Sequence, residues 1–133
     1  LHDYGHFILE NPDDLVSKEK DGKHESVGYE FLKKYFIKDV VEPIKYHVKA
    51  KRYLARDEKY YQLLSEASKV SLKLQGGIMD NKESKEFESN EFFKSSIKLR
   101  KFDESAKKTG LKIKSINEYK NLLVSKLIWD LTI

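Results

Sequence analysis

Two adjacent residues near the start of the chain, His2 and Asp3, offer an imidazole and a carboxylate side by side. On a helix, neighbours project about 100° apart, so such a pair can serve two neighbouring metals at once, with the carboxylate bridging them. By itself a His-Asp dipeptide is unspecific, and chance placement or a helix end is its commoner explanation. The chain has four histidines and no cysteine. Disulfides, thiolate zinc sites and a cysteine nucleophile are therefore excluded, and any bound metal must be held by histidine and carboxylate.

Further along, Ile44, His47, Val48 and Lys51 recur at i, i+3, i+4 and i+7. That spacing predicts a helix that points a histidine and a lysine along its apolar side. Taken singly, Lys51 would snorkel to solvent and His47 would make one satisfied core hydrogen bond. Together on one stripe, they suit a neutral imidazole on a metal with an ammonium one turn further, held ready for an anionic substrate. Asp103 repeats the anomaly, because Phe92, Ser96, Leu99, Asp103 and Ala106 fall on one helical face. Two partners stand open for it: a surface salt bridge from Lys107, four residues on, or a metal.

His24 opens its helix beside Glu25, where a capping or surface role is the simpler reading. Ser68 and Ser71 flank the inward side of the helix carrying Ala67, Val70 and Leu74. Helical serines of this kind often bond back to a carbonyl one turn earlier. If Lys51 faces them, two hydroxyls can instead receive phosphoryl or phosphonate oxygens. Gln75, Trp129, Tyr53, Tyr60 and Tyr61 read as packing and helix-end residues.

The elements that must position these groups are helices. Two prolines, six glycines and apolar spacings of three and four residues leave only short, isolated strand-like runs. One helix is expected over 24–38, and a second from Pro43 to about Ala55, with the proline in its first turn. Asp57 and Ser65 are N-cap residues for a short and a longer helix, the latter ending at Gly76-Gly77. Asp80 with Glu83 and Ser115 with Glu118 have capping-box spacing, and Asn90 can cap the helix that runs to Ala106 before Gly110. The expectation is an all-α bundle of about six helices forming one domain over 1–133. Residues 11–22 are polar and read as a surface loop.

Lys and Arg number 26 against 22 Asp and Glu, a net charge of +4. Most of that excess is lysine interleaved with glutamate and serine, which is a solvated surface. The most basic stretch, Lys98 to Lys114, is explained by a lysine-rich amphipathic helix, so nucleic-acid binding is not expected. No long apolar run occurs, so neither a membrane span nor a signal peptide is expected, and the chain reads as soluble and cytoplasmic. Its first residue is Leu1, set directly on a dense polar cluster. It reads as a fragment lacking its true start.

Taken together, three stretches resemble the HD-domain superfamily, in its oxygenase branch: Leu1-His2-Asp3-Tyr4-Gly5-His6, His24-Glu25, and Pro43-Ile44-Lys45-Tyr46-His47-Val48-Lys49-Ala50-Lys51-Arg52-Tyr53-Leu54. The likeness continues through Leu64-Ser65-Glu66-Ala67-Ser68, Ser71-Leu72-Lys73-Leu74-Gln75-Gly76-Gly77 and Leu99-Arg100-Lys101-Phe102-Asp103, which look like the phosphonate-degradation HD proteins. It covers nearly the whole chain through Lys107. The resemblance implies an HD-type helical bundle whose first helix is missing here, and a mixed-valent di-iron site, Fe(II)/Fe(III), with Asp3 bridging both irons. His24 and His47 would bind the substrate-side iron. His2 and Asp103 would bind the other, together with a further histidine from a helix N-terminal to the His-Asp pair.

By the same resemblance, His6, Lys51, Ser68 and Ser71 hold the phosphonate of a small-molecule substrate, and Asp3, His6 and Lys51 are the catalytic residues. The implied reaction is dioxygen-dependent cleavage of the carbon–phosphorus bond of 2-amino-1-hydroxyethylphosphonate, or its trimethylated analogue, to phosphate and glycine or betaine. An HD-type metal phosphohydrolase would keep His2, Asp3 and Asp103, and ligand spacing alone does not separate the two. A noncatalytic helical interaction domain is a third reading, but it leaves several inward polar groups without partners.

Overall fold

Helix α3, Lys38–Leu54, is the spine of the molecule. A computed structural model describes residues 1–9 and 23–128; the loop expected over 11–22 and Trp129 lie outside the described residues. Before the spine come α1, Tyr4–Leu9, and α2, His24–Leu32; after it come α4, Glu58–Leu63, α5, Glu66–Leu74, α6, Asn81–Glu88, α7, Phe93–Ala106, and α8, Lys120–Val124. A 3-10 turn over Ile116–Tyr119 leads into α8. The class is all-α, as the periodicity predicts, and three of the eight described α-helices have six residues or fewer. Beyond them, the described residues hold one isolated antiparallel bridge, between Phe36 and Leu127.

Three apolar clusters line α3 along its length, which at 1.5 Å per residue is about 25 Å. Leu32, Val41 and Ile44 join it to α2, with Tyr4 of α1 and Leu99 of α7 packed on them. Ala50, Met79 and Phe87 join it to α6, with Phe93 and Ile97 of α7 against them. Ala55, Leu64 and Leu72 seat α4 and α5 at its C-terminal end. The inward stripe of α3 carries His47 and Lys51 among these apolar residues, and both are buried.

Of the caps read from the sequence, those at Asp57, Ser65, Asp80 and Ser115 form as expected, whereas α7 has Phe92 at its N-cap and Asn90 accepts from the Phe92 amide just ahead of the helix. Asp57 accepts from the Tyr60 amide and Ser65 from the Ser68 amide, while Asp80 with Glu83 closes a full capping box. Gly76 and Gly77 end α5 with φ of 106° and 74°, and the Gly77 amide donates back to the Leu72 carbonyl at 2.8 Å. Arg52 of α3 donates to the carbonyls of Gly77 and Gly76 and to Glu83, clamping this turn and α6 to the spine.

Two boundaries differ from expectation. The helix expected over 24–38 stops at Leu32, because the Ile37 amide donates to Lys126 and the Ile128 amide to Tyr35 across the bridge. Then α3 begins at Lys38, five residues before Pro43. A proline that deep forfeits the hydrogen bond to the Asp39 carbonyl and is tolerated because it is buried on the core side.

Glycine decides how α1 meets α2. A Cβ on Gly5 would sit 1.8 Å from the His24 carbonyl oxygen, and one on Gly28 would sit 3.0 Å from the Gly5 nitrogen. The two backbones therefore touch, which brings the start of α1 against the first residue of α2.

Candidate metal centre and anion cavity

Four segments converge on one point. His2 and Asp3 lie in the turn that leads into α1 rather than inside a helix, with the Asp3 carbonyl accepting from the His6 amide at 3.0 Å. His24 is the first residue of α2, His47 is in the middle of α3, and Asp103 is in the last turns of α7. The Gly5–Gly28 contact sets the first two segments together, and the packing of α3 against α2 and α7 sets the others.

Two donor sets result, with Asp3 in both. In one, Asp3, His24 and His47 bring one ligand atom each to within 4.8 Å of one another; in the other, His2, Asp3 and Asp103 do the same. The Nε2 atoms of His24 and His47 face each other at 3.0 Å. His47 Nδ1 donates to the Ile44 carbonyl at 2.6 Å, so in the neutral ring the Nε2 lone pair is the one directed at His24. The imidazoles are 4% and 5% exposed, so the facing pair is almost wholly withdrawn from bulk solvent. His24 Nε2 also lies 4.0 Å from Asp3 Oδ1. On the other side, His2 Nε2 sits 3.1 Å from Asp3 Oδ2 and 3.2 Å from Asp103 Oδ1.

Protonation states follow the same division. Burial pushes His47 down to about 4, which leaves it neutral and fit to ligate. Hydrogen bonds to Asp103 and Asp3 raise His2 to about 9. Its partner effects hold Asp3 and Asp103 below the usual carboxylate range. Two carboxylates thus demand positive charge between them, a demand that a proton on His2 or a metal cation can meet. The donor chemistry of both sets, imidazole and carboxylate around a shared carboxylate, fits a pair of divalent or trivalent metals.

Beside the centre lies a cavity of about 150 Å³. His6, Lys51, Ser68 and Ser71, the residues expected to hold an anion, all line it. Lys51 is 5% exposed, and its Nζ donates to Ser71 Oγ at 2.8 Å. Ser71 bonds back to the Ser68 carbonyl at 3.1 Å, as helical serines do, and still faces the lysine. The His6 ring stacks on His24 with centroids 4.0 Å apart. A buried ammonium beside hydroxyls is a place where an anion regains the hydrogen bonds it leaves in water.

Three residues at this site escaped the sequence reading. Arg100, 6% exposed, lines the cavity and bonds Asp103 Oδ2 at 2.9 Å, a nearer partner than Lys107 at 3.7 Å. Tyr60 and Gln75, read as packing residues, also have polar work. The Tyr60 hydroxyl donates to Glu104, and Gln75 presents to the cavity wall a buried Oε1 with no hydrogen-bond partner. A signal existed for two of them. Ser96, Arg100 and Asp103 stand at i, i+4 and i+7, and Ser68, Ser71 and Gln75 at i, i+3 and i+7.

The chain has named relatives. It is 44% identical over 121 residues to a hydroxymethylphosphonate dioxygenase of Gimesia maris, a match covering 90% of this chain and 60% of that protein. A 1-hydroxy-2-(trimethylamino)ethylphosphonate dioxygenase of Leisingera caerulea, which forms glycine betaine, is 44% identical over 112 residues, covering 84% of this chain and 57% of its own. An uncharacterized protein of Acanthamoeba polyphaga mimivirus is 40% identical over 131 residues, 96% of this chain and 59% of the viral one. The chain thus spans about 60% of the length of these relatives. No family model matches it.

Proposed function

We propose that the protein carrying this chain is an iron-dependent oxygenase of the HD type that cleaves the carbon–phosphorus bond of small 1-hydroxyphosphonates. The observation that carries the reading is the sharing of Asp3 between two donor sets, one of them beside an enclosed lysine and two serines. Homology to two proteins named as phosphonate dioxygenases supports it. His24, His47 and Asp3 would hold the metal nearer the cavity, and His2, Asp103 and Asp3 the other. A pair of irons at these residues would supply the activation of dioxygen and the oxidation of the hydroxyl-bearing carbon.

The chain's own residues bind and orient. Lys51 meets the dianionic phosphonate with a buried positive charge, Ser68 adds a hydroxyl donor, Ser71 adds another by turning its hydrogen from the Ser68 carbonyl, and His6 closes the side next to His24. Burial makes these interactions stronger than they would be in water, and it holds the substrate in one orientation. With the phosphonate fixed at this end of the cavity, the adjacent hydroxyl-bearing carbon is turned toward the metal centre.

The balance of atoms is simple for the smallest candidate. Hydroxymethylphosphonate and one dioxygen give formate and phosphate: one oxygen atom joins the carbon and one joins the phosphorus as the C–P bond breaks. The same balance takes 2-amino-1-hydroxyethylphosphonate to glycine, and its trimethylated analogue to betaine. The test is phosphate release by the iron-loaded full-length protein from each of these three compounds, in air and under strict anaerobiosis. Release that requires dioxygen, with one dioxygen consumed per phosphate, is the expected result. Equal release without dioxygen overturns the oxygenase and points to metal-assisted hydrolysis.

A further inference from the structure

Arg100 is a cation buried on α7, and the steps above make no use of it. Its Nη1 donates to Asp103 Oδ2 at 2.9 Å, while its Nε and Nη2 donate to Glu104 Oε1 at 3.0 and 2.9 Å. Glu104 in turn accepts from the Tyr60 hydroxyl, which reaches across from α4. The two oxygens of Asp103 therefore face different partners: Oδ2 is held by the guanidinium, and Oδ1 points at His2 Nε2, 3.2 Å away.

That division matters for a ligand. A free carboxylate can rotate and can bind through either oxygen or both. A planar guanidinium fixed on one oxygen removes that freedom and leaves the other aimed. Burying a guanidinium is costly unless it is fully paired, and here Asp103, Glu104 and Tyr60 pair it. Lys107 reaches the same Asp103 oxygen only at 3.7 Å and from a side chain 56% exposed, so it cannot supply the same constraint. We propose that Arg100 is a positioning residue for the metal centre: clamped by Glu104 and Tyr60, it holds Oδ2 of Asp103 and presents Oδ1 to the metal shared with His2. This rests on the two-metal reading above.

Cobalt(II) titration of the full-length protein, followed by visible absorbance, tests it. Wild type binds two equivalents. In Arg100→Gln the first equivalent binds as in wild type, and the second is weakened about 10- to 100-fold, the usual loss when a ligand's outer partner is removed. Arg100→Lys, which keeps the charge but not the fork, falls between the two. Loss confined to one of two equivalents is a signature that general unfolding does not give. Two equivalents bound to Arg100→Gln with wild-type affinity overturn the proposal. If circular dichroism shows that Arg100→Gln does not fold, Tyr60→Phe decides: a selectively weakened second equivalent supports the clamp, and unchanged affinity sinks it. Wild type that binds fewer than two equivalents overturns the two-metal reading, and this inference with it.

Discussion

The proposed centre gives each residue a role that a single substitution separates from the rest. His47→Ala removes one donor from the set of Asp3 and His24, so iron per chain is expected to fall from two to one by metal analysis. Unchanged iron content contradicts the assignment. Lys51→Ala leaves both donor sets intact and removes a buried charge-assisted hydrogen bond, so KM for the phosphonate is expected to rise about 10- to 100-fold at unchanged iron content. A variant that loses iron but keeps its KM would reverse the two roles. Two of the donors were legible in the sequence because each broke a helical pattern, whereas His2, Asp3 and His24 stood out from simpler readings only through the family resemblance. His47 and Asp103 stood where apolar residues belong, and Lys51 shared the stripe. Arg100 was not, since a basic residue in a lysine-rich helix looks like solvated surface until Asp103, Glu104 and Tyr60 close around it.

Helices deliver these residues, and two glycine contacts control the delivery. Gly5→Ala places a Cβ 1.8 Å from the His24 carbonyl, on backbone that cannot swing aside. We expect a loss of stability of at least about 1–3 kcal/mol, typical of overpacking, together with lowered iron content, because His2 and Asp3 move with α1. A variant with wild-type melting and iron content would show that α1 is not held by this contact. Gly76→Ala combines a φ of 106° with a contact 3.2 Å from the Arg52 guanidinium. Its expected cost is about 1–2 kcal/mol, with KM affected more than iron, since α5 carries Ser68 and Ser71 but no metal donor. Loss of iron without a KM change would contradict that division.

Capping boxes and the Gly-Gly stop were readable because they are local: a side chain bonds an amide three residues away. The start of α3 and the early end of α2 were not. The first depends on burying Pro43 against the core, and the second on a bridge between residues 36 and 127, which no local spacing reports. The Gly5–Gly28 contact was invisible for the same reason, although Gly5 stood in plain view beside the His-Asp pair.

At the level of the whole molecule, the proposed centre draws its donors from the turn before α1 and from α2, α3 and α7, so on this reading metal and fold are linked. Iron that binds the folded chain alone stabilises it by about 2.7 kcal/mol when present at a hundred times its dissociation constant. Removal of iron by a chelator is therefore expected to lower the melting temperature and its re-addition to restore it. Identical melting with and without metal would mean that these residues hold no ion. Among the described residues, no helix is long and apolar enough to cross a membrane.

Anomalous diffraction at the iron edge from crystals of the iron-loaded full-length protein tests the central claim most directly. Two peaks flanking the Asp3 carboxylate are expected, one in coordination distance of His24 and His47 and the other of His2 and Asp103. A single peak, or iron bound away from Asp3, would contradict the shared-carboxylate centre and the chemistry built on it.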